Sequence, residues 1–157
     1  GLSTDMIGGF PTEPEEDFAQ TMKLLEDIRF DNVYSFAYST RPGTKAAKLE
    51  DDVSDAVKSE RLQRFQIRGV QIAAENNARK VGTVLEALVE SKAKPHQHSE
   101  HQTIWKGRTS CGRVVNFAHE GPRDFIGKFV NVKITRTTGL ALTGEIVLVA
   151  DQETTIQ

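Results

Sequence analysis

The second half of the chain alternates between hydrophobic and polar positions. Successive side chains of a strand point to opposite faces, so this alternation predicts strands that each bury one face. The turn residues Gly121-Pro122 and Thr138-Gly139 separate some of the alternating runs. We therefore predict five short strands, at residues 84–90, 103–108, 113–117, 128–136 and 140–148. Five short strands in about seventy residues are typical of an oligonucleotide-binding-type β-barrel.

The first half contains two short hydrophobic runs with a helical pattern between them. Residues 5–10 and 33–38 predict buried parallel strands, and the second is apolar on both faces, which predicts cover on both sides. Residues 12–15, Thr-Glu-Pro-Glu, predict a capping box at the start of a helix. The buried face of that helix would hold Phe18, Met22, Leu25 and Ile28. Strand, helix and strand in this order predict a βαβ unit.

A second, longer helix is predicted from Ser54, which can cap it, to about Arg79. Its apolar stripe is broken, as in a helix that packs along two neighbours. Its basic residues, among them Lys58, Arg61 and Arg64, are expected to face water or, as an alternative, RNA.

These patterns predict a domain organisation. An α/β segment occupies residues 1–48, a connecting helix 49–80, a β-barrel 81–150 and a disordered tail 151–157. The chain begins at Gly1 and not at Met, so we expect a fragment of a longer protein. Two strands leave two uncovered sheet edges, and residues 1–44 are therefore expected to associate or to be poorly ordered.

Charge is distributed unevenly along a chain whose formal net charge is −2. Residues 1–80 hold 11 lysines and arginines against 14 acids, whereas residues 81–150 hold 9 against 6. The excess of positive charge in the second half is a weak indication of a polyanionic partner there. No hydrophobic run approaches the length of a membrane span, so no membrane association is expected.

Candidate catalytic and metal-binding residues are few. Cys111 is the single cysteine, which excludes an internal disulfide and fits a reducing compartment. A catalytic thiol is an unfavoured alternative, because no histidine or other base is evidently placed to activate Cys111. The run His96-Gln97-His98-Ser99-Glu100-His101 could bind a metal, but a solvated loop between two strands is the favoured interpretation, and no metal site is predicted. Gly8-Gly9 lacks the spacing of a dinucleotide-binding motif.

The stretch from Gly107 to Phe117 is the first candidate for binding RNA. Arg108 and Arg113 could contact phosphates through their planar guanidinium groups. Asn116 could read a base edge or a sugar, and Phe117 could either stack on a base or fill the barrel. A purely structural role for this stretch remains open. Elsewhere, Arg41 lies in a polar loop after the second predicted strand, where ligand sites of parallel α/β folds gather. A turn built from Pro42 and Gly43 with a solvated Arg41 is the alternative.

Three stretches resemble one family, the radical S-adenosylmethionine methylthiotransferases. Residues 4–11, Thr-Asp-Met-Ile-Gly-Gly-Phe-Pro, followed by Glu15-Glu16-Asp17-Phe18, resemble a late strand and helix of that family's barrel. Residues 35–44, Ser-Phe-Ala-Tyr-Ser-Thr-Arg-Pro-Gly-Thr, resemble its next strand and loop. Gly107-Arg108-Thr109, residues 114–117 and residues 126–130 are similar to its C-terminal TRAM domain. The Arg-Pro-Gly-Thr and Val-Val-Asn-Phe segments resemble most the branch that acts on transfer RNA.

The resemblance implies the fold class, an α/β strand-helix-strand fragment of a radical SAM partial barrel, a connecting helix and an all-β TRAM/OB-like barrel of five strands. It also implies that this chain is the C-terminal part of an enzyme that methylthiolates isopentenyladenosine beside the anticodon. Such enzymes use S-adenosylmethionine and two 4Fe-4S clusters. The cluster cysteines are absent from these residues, so the fragment alone is expected to be inactive and to hold no cofactor.

The same resemblance implies which residues bind ligands. The residues expected near S-adenosylmethionine are Ile7, Gly8, Gly9, Phe10, Phe36, Tyr38 and Arg41. The residues expected to bind RNA are Lys106, Arg108, Arg113, Asn116, Phe117, Lys128 and Lys133. The implied partners are a tRNA anticodon stem-loop and the N-terminal half of the enzyme, in a cytoplasmic protein that is a monomer at full length. Two alternatives stay open, a stand-alone RNA-binding TRAM module without catalysis and a methylthiotransferase that acts on a ribosomal protein.

Overall fold

The computed structural model describes residues 1–93 and 102–147. The chain divides into two compact units, Gly1–Asn76 and Asn77–Gln157. The histidine-rich run at 96–101 and the tail at 151–157 lie outside the described residues. Within the described part of the chain, no helix combines the length and the apolar character that a membrane span needs.

The first unit begins with the predicted strand, helix and strand. Strand β1 is Ser3–Gly8, helix α1 is Glu15–Ile28 and strand β2 is Asn32–Ala37. The two strands pair in parallel, from Ser3 opposite Asn32 to Gly8 opposite Ala37. A short 3-10 turn at Ala46–Lys48 follows, and then helix α2, Asp55–Ala78, whose last two residues fall in the second unit.

The core of the first unit lies between the helices and one face of the sheet. It contains the buried side chains Met6, Phe18, Leu25, Phe65 and Ile72. The predicted stripe of α1 is thereby confirmed for Phe18 and Leu25, which have no exposed surface, whereas Ile28 at the end of the helix is exposed.

The prediction that β2 is covered on both sides is wrong within the described residues. Tyr34 and Phe36 on β2, and Ile7 opposite Phe36 on β1, are each more than half exposed. The reason is that α1 and α2 bury only the face that carries residues such as Met6, and no described element covers the opposite face. This face is an apolar surface of the kind that usually marks an interaction site.

The predicted capping box at the start of α1 is also wrong, although the helix begins where the pattern indicated. Pro14 is the N-cap residue, and no side chain caps the helix. Thr12 adopts a left-handed conformation with φ 68°, and its backbone N–H donates to Asp52 Oδ1 at 2.7 Å. Glu13, not Glu15, satisfies a backbone amide, because its Oε2 accepts from the Gly9 N–H at 2.6 Å.

Basic residues of α2 pair with acids of the same unit instead of facing water or RNA. Arg61 is 4% exposed, and its Nη1 donates to Glu13 Oε2 at 2.7 Å. Lys58 is 6% exposed and donates to Asp51 Oδ2 at 2.6 Å. A buried cation needs such a partner because desolvation without one is costly. Arg61 thereby holds Glu13, which in turn fixes the backbone just after β1.

The second unit contains the five predicted strands and is a closed barrel. The strands are β3 Val84–Lys92, β4 Gln102–Thr109, β5 Val114–Glu120, β6 Phe129–Thr137 and β7 Ala141–Val147. Their order around the barrel is β3-β4-β5-β7-β6, and β6 closes on β3. All neighbouring pairs are antiparallel except β5 with β7, which are parallel. The five-stranded barrel was therefore predicted correctly from the alternation.

Inward residues of alternating strand positions fill the barrel. Trp105, Phe117, Val115, Val132, Ile134 and Leu142 are all at most 2% exposed. Phe125 enters from the loop before β6 and packs edge-on against Trp105, with ring centroids 5.4 Å apart. Each large side chain buried in this way contributes about 1.5–3 kcal/mol relative to an exposed one. Because the inward residues supply this stabilisation, the outward positions can carry functional side chains.

Candidate nucleic-acid interface and cofactor groove

A row of polar side chains crosses the outer face of the barrel. Lys106 on β4 is opposite Asn116 on β5, Asn116 is opposite Thr143 on β7, and Thr143 is opposite Arg136 on β6. Lys106, Asn116 and Thr143 each alternate with buried neighbours, so their side chains point outward. We call Lys106, Asn116, Thr143 and Arg136 the polar row. It combines two cations with two groups that can donate or accept hydrogen bonds.

Among the barrel cations that make no ion pair with the described residues, four are candidates for contacting RNA. They are Lys106, Arg136, Lys128 and Lys133. Lys128 lies immediately before β6 and Lys133 in its middle, and both are exposed. Unpaired cations on an outer barrel face are suited to phosphate contacts because no internal ion pair has to be broken first. The sequence prediction included Lys106, Lys128 and Lys133 but not Arg136.

Arg108, which the sequence ranked among the first RNA-binding candidates, has partners within the barrel. Its Nε donates to Glu90 Oε1 at 2.9 Å, and its Nη1 donates to the carbonyl oxygen of Gly112 at 3.1 Å. Both side chains of this ion pair are partly exposed, at 47% for Arg108 and 39% for Glu90. The Glu90 carboxylate offsets the Arg108 charge, so a phosphate contact by Arg108 has to compete with it.

Arg113 is likewise bound to its own barrel unit. Its Nε donates to Asn77 Oδ1 at 3.0 Å and its Nη1 to Cys111 Sγ at 2.8 Å. Asn77 is 5% exposed and donates to the carbonyl oxygen of Gly139 at 2.6 Å. Arg113 therefore joins the turn before β5 to Asn77, which is a structural role that the sequence had left as an alternative.

The contact with Arg113 also changes the acidity of Cys111. Partial burial raises the pKa of the thiol, but hydrogen bonds from Thr109 and Arg113 and the charge of Arg113 lower it by more. The net result is a Cys111 pKa below its ordinary value of 9.0. In the described residues, no group of three or more histidine, cysteine or acidic side chains is placed to hold a metal ion.

The two roles that the sequence allowed for Phe117 are separated by its burial. Phe117 is 1% exposed and belongs to the barrel core, so it fills the barrel and is not available to stack on a base. Its prediction as an RNA-binding residue is corrected accordingly. The exposed aromatic residue is Phe129, which is 67% exposed and which sequence reasoning missed. The alternation in β6 points Val130, Val132 and Ile134 inward, and that signal places Phe129 outward.

A groove in the first unit collects most of the residues predicted to contact the cofactor. Its volume is about 410 Å³, and its lining includes Ile7, Phe10, Phe36, Tyr38 and Arg41. Phe10 and Tyr38 meet edge to face, with ring centroids 5.2 Å apart. The hydroxyl of Tyr38 is buried and has no hydrogen-bond partner among the described residues. The groove therefore offers aromatic and aliphatic walls together with the side chain of Arg41.

Gly8 and Gly9 do not line this groove. A Cβ on Gly9 would lie 2.4 Å from Lys58 Cγ, and one on Gly8 would lie 3.0 Å from the Phe65 ring. Gly9 also has φ 76°, which favours glycine. The two glycines thus allow the end of β1 to approach α2 closely, and their expected contact with a cofactor stays a prediction.

Comparison with protein families identifies the barrel. Residues 78–147 match the family described as the TRAM domain. The match contains all five barrel strands. TRAM is an RNA-binding domain, in agreement with the polar row on the outer face.

Curated relatives extend the similarity to almost the whole chain. The chain is 47% identical over 146 residues to the tRNA-2-methylthio-N(6)-dimethylallyladenosine synthase of Acetivibrio thermocellus, covering 93% of this chain and 29% of that protein. It is 46% identical over 151 residues to the enzyme of the same name from Yersinia enterocolitica, covering 96% and 30%. The enzyme of that name from Methylibium petroleiphilum is 46% identical over 153 residues, covering 94% and 32%.

The chain thus spans about a third of the length of the relatives it matches, or slightly less. An identity close to one residue in two, continuous across both units, confirms the resemblance that the three sequence stretches indicated. Residues 78–147 match the TRAM domain, and the chain as a whole is similar to about a third of the tRNA-2-methylthio-N(6)-dimethylallyladenosine synthases compared with it.

Proposed function

We propose that this chain is the C-terminal part of a cytoplasmic enzyme that methylthiolates isopentenyladenosine next to the anticodon of tRNA. In this proposal residues 81–150 hold the anticodon stem-loop, residues 1–48 complete one side of a radical SAM barrel, and residues 49–80 connect them. The observation that carries it is the polar row, which presents unpaired cations and hydrogen-bonding groups on the outer face of a TRAM domain.

Electrostatics supports the RNA contact. Lys106, Arg136, Lys128 and Lys133 make no ion pair with the described residues, and each would neutralise a phosphate with release of counterions. Asn116 and Thr143 lie between Lys106 and Arg136 in the row and can hydrogen-bond a base edge or a sugar. Phosphate contacts would give affinity, and the two uncharged groups would give any base preference.

The groove of the first unit fits S-adenosylmethionine. The walls formed by Ile7, Phe10 and Phe36 suit an adenosyl group, and Arg41 suits the carboxylate of the methionyl part. The buried Tyr38 hydroxyl lacks a partner among the described residues, and a polar ligand atom would satisfy it. When bound and reduced by a cluster, the cofactor supplies a radical that abstracts hydrogen. The residues of this chain would orient its adenosyl group and exclude water from it.

The two 4Fe-4S clusters do not fit these residues. Such clusters are held by several cysteine thiolates, whereas this sequence contains one cysteine, Cys111. Cys111 is held by Thr109 and Arg113 within the TRAM domain. In this proposal the clusters would be held by a part of the full-length enzyme outside these residues.

A chimeric enzyme tests the proposal. The segment of the Acetivibrio thermocellus relative that matches this chain is replaced by this chain, and the chimera is expressed in cells that lack the endogenous enzyme. Mass spectrometry of digested tRNA should then detect methylthiolated isopentenyladenosine. A folded chimera that yields no product, while the parent enzyme yields it in the same cells, would contradict the catalytic part of the proposal.

A stand-alone RNA-binding module is the second candidate, and the contacts of the barrel favour it as much as they favour the enzyme. Arg113, Asn77 and Gly139 connect parts of the barrel unit without help from the first unit. An inactive chimera together with tight binding of an anticodon stem-loop by this chain would support the module. Preferential binding of a ribosomal protein over the stem-loop would support the remaining alternative, a methylthiotransferase that acts on a ribosomal protein.

A further inference from the structure

One aromatic ring of the barrel unit stands apart from the others. Trp105, Phe117 and Phe125 are each at most 2% exposed, whereas Phe129 at the start of β6 is 67% exposed. Leu88, which is directly opposite Phe129 on β3, is 37% exposed, and Ile126 in the preceding turn is 52% exposed. A single exposed apolar residue needs no explanation, but Phe129 and Leu88 are opposed neighbours, and a third exposed apolar residue lies three positions before Phe129 in the chain.

The segment that leads into Phe129 is held rigidly. The Gly127 N–H donates to the carbonyl oxygen of Val89 at 2.9 Å, and the Val89 N–H donates to that of Lys128 at 2.9 Å. The Lys128 N–H closes the turn on the carbonyl oxygen of Phe125, also at 2.9 Å. Phe125 itself is buried in the core. Because these bonds fix the backbone on both sides of Lys128, the backbone that carries Phe129 has little conformational freedom to lose on binding.

The charge around Phe129 indicates what kind of surface the ring would meet. Lys128 precedes it, and Lys133 follows on the same outer face of β6. Neither ammonium group makes an ion pair with the described residues. A ring with an aliphatic neighbour and two unpaired cations matches a partner that has flat, stackable groups on an anionic backbone. That combination describes single-stranded nucleic acid better than the apolar face of a protein.

We propose that Phe129 is a stacking platform for one unpaired base of the bound RNA, with Leu88 supporting its ring and Lys128 contacting the adjacent phosphate. This site rests on the proposed RNA-binding function and is separate from the polar row, because Phe129, Leu88 and Arg108 form a different line of opposed residues. Base stacking on an aromatic ring is tolerant of sequence, so the site would add affinity without selecting one base.

Fluorescence of a Phe129→Trp variant tests the stacking directly. Trp105 is the single tryptophan of the chain and is 2% exposed, so the unmodified protein provides the reference signal of a buried indole. Titration with an anticodon stem-loop RNA should quench the added tryptophan strongly and leave Trp105 in the reference nearly unchanged. A blunt RNA duplex with the same stem and no unpaired bases should bind with weaker quenching.

A second variant, Phe129→Leu, separates stacking from folding and from charge. It keeps an apolar side chain at an exposed position, and it should weaken stem-loop binding by about fivefold to tenfold with an unchanged salt dependence. Retained thermal stability of the variant excludes unfolding as the cause.

The outcomes distinguish the stacking site from the function on which it rests. If the unmodified chain binds the stem-loop while Phe129→Leu binds equally well and Phe129→Trp is not quenched, the stacking site is wrong and the RNA-binding function stands. If the unmodified chain binds no stem-loop at all, the proposed function and the stacking site both fail.

Discussion

Lys106 and Asn116 are directly opposed in the antiparallel pairing of β4 with β5, and both side chains leave the barrel on its outer face. Each of these two residues lies between two buried positions of its own strand. Trp105 and Gly107 flank Lys106, and Val115 and Phe117 flank Asn116. The same alternation that builds the core thus places an unpaired ammonium group beside an amide that can hydrogen-bond a nucleotide.

Replacement of Lys106, which makes no ion pair with the described residues, should affect RNA binding more than replacement of Arg108 together with its partner Glu90. Lys106→Ala should weaken binding of an anticodon stem-loop by about 1 kcal/mol and reduce the slope of log affinity against log salt by about one, because it removes one phosphate contact. The matched control is the double variant Glu90→Ala, Arg108→Ala, which removes an internal ion pair and leaves the net charge unchanged. Titrations at several salt concentrations measure both quantities. A larger loss in the double variant than in Lys106→Ala would contradict the assignment.

Gly144 should be irreplaceable for packing reasons. A Cβ at this position would lie 2.2 Å from the carbonyl oxygen of Lys133, so β6 and β7 would have to separate. We expect Gly144→Ala to lower the free energy of unfolding by about 2 kcal/mol or more. Gly112→Ala is the control, since its Cβ meets nothing within 4 Å and it suffers only the strain of a positive φ, about 1 kcal/mol. Urea unfolding followed through Trp105 fluorescence compares them, and an equal loss in both would disprove the close approach.

The acidity of Cys111 should depend on Arg113. Partial burial raises the pKa of the thiol, but the hydrogen bonds from Thr109 and Arg113 and the Arg113 charge outweigh it, so the folded pKa lies below 9.0. The folded state therefore gains stability as the pH rises through the folded pKa, and this gain is complete above the unfolded pKa. Alkylation rates measured against pH should give a lowered midpoint for the folded chain. Arg113→Ala should move the midpoint upward, and an unmoved midpoint would exclude the contact.

Glu75 should remain charged well into the acid range. Hydrogen bonds from Arg29 and then Arg68 lower its pKa to about 2, from an ordinary value of 4.5. Because the folded pKa is depressed, the stabilisation is present above pH 4.5 and is lost as the pH falls toward 2. Carboxyl chemical shifts in an NMR titration measure this pKa, and Arg68→Gln should raise it. A Glu75 midpoint near 4.5 in the unmodified chain would show that Glu75 does not form its hydrogen bonds with Arg29 and Arg68.

Much of the barrel was predictable because its information is local. Strict alternation in residues such as Val130, Val132 and Ile134 fixes which face is buried, and strand bounds followed to within a few residues. The pairing of β5 with β7 is not local, because it joins segments that are separated by a whole strand. For that reason Thr143 and Arg136 were not expected beside Asn116 and Lys106.

The contacts that sequence reasoning missed share a physical cause. Arg113 and Phe117 were predicted to bind RNA because of their residue types. Residue type does not reveal that Arg113 would donate to Asn77 or that the barrel core would enclose Phe117. Gly8 and Gly9 were predicted to lie near a ligand, and their sequence did not reveal that α2, which comes about fifty residues later, packs closely against them. The capping box failed for a similar reason, since Asp52 binds the backbone of Thr12 from a distant loop.

Mapping of the RNA contact by NMR tests the central claim most directly. An isotope-labelled sample of this chain is titrated with an anticodon stem-loop, and amide shifts are followed for the described residues. We expect the largest changes in the polar row of Lys106, Asn116, Thr143 and Arg136, with smaller changes at inward positions such as Val115. Absence of shifts in the barrel, or shifts confined to residues 1–76, would contradict the account.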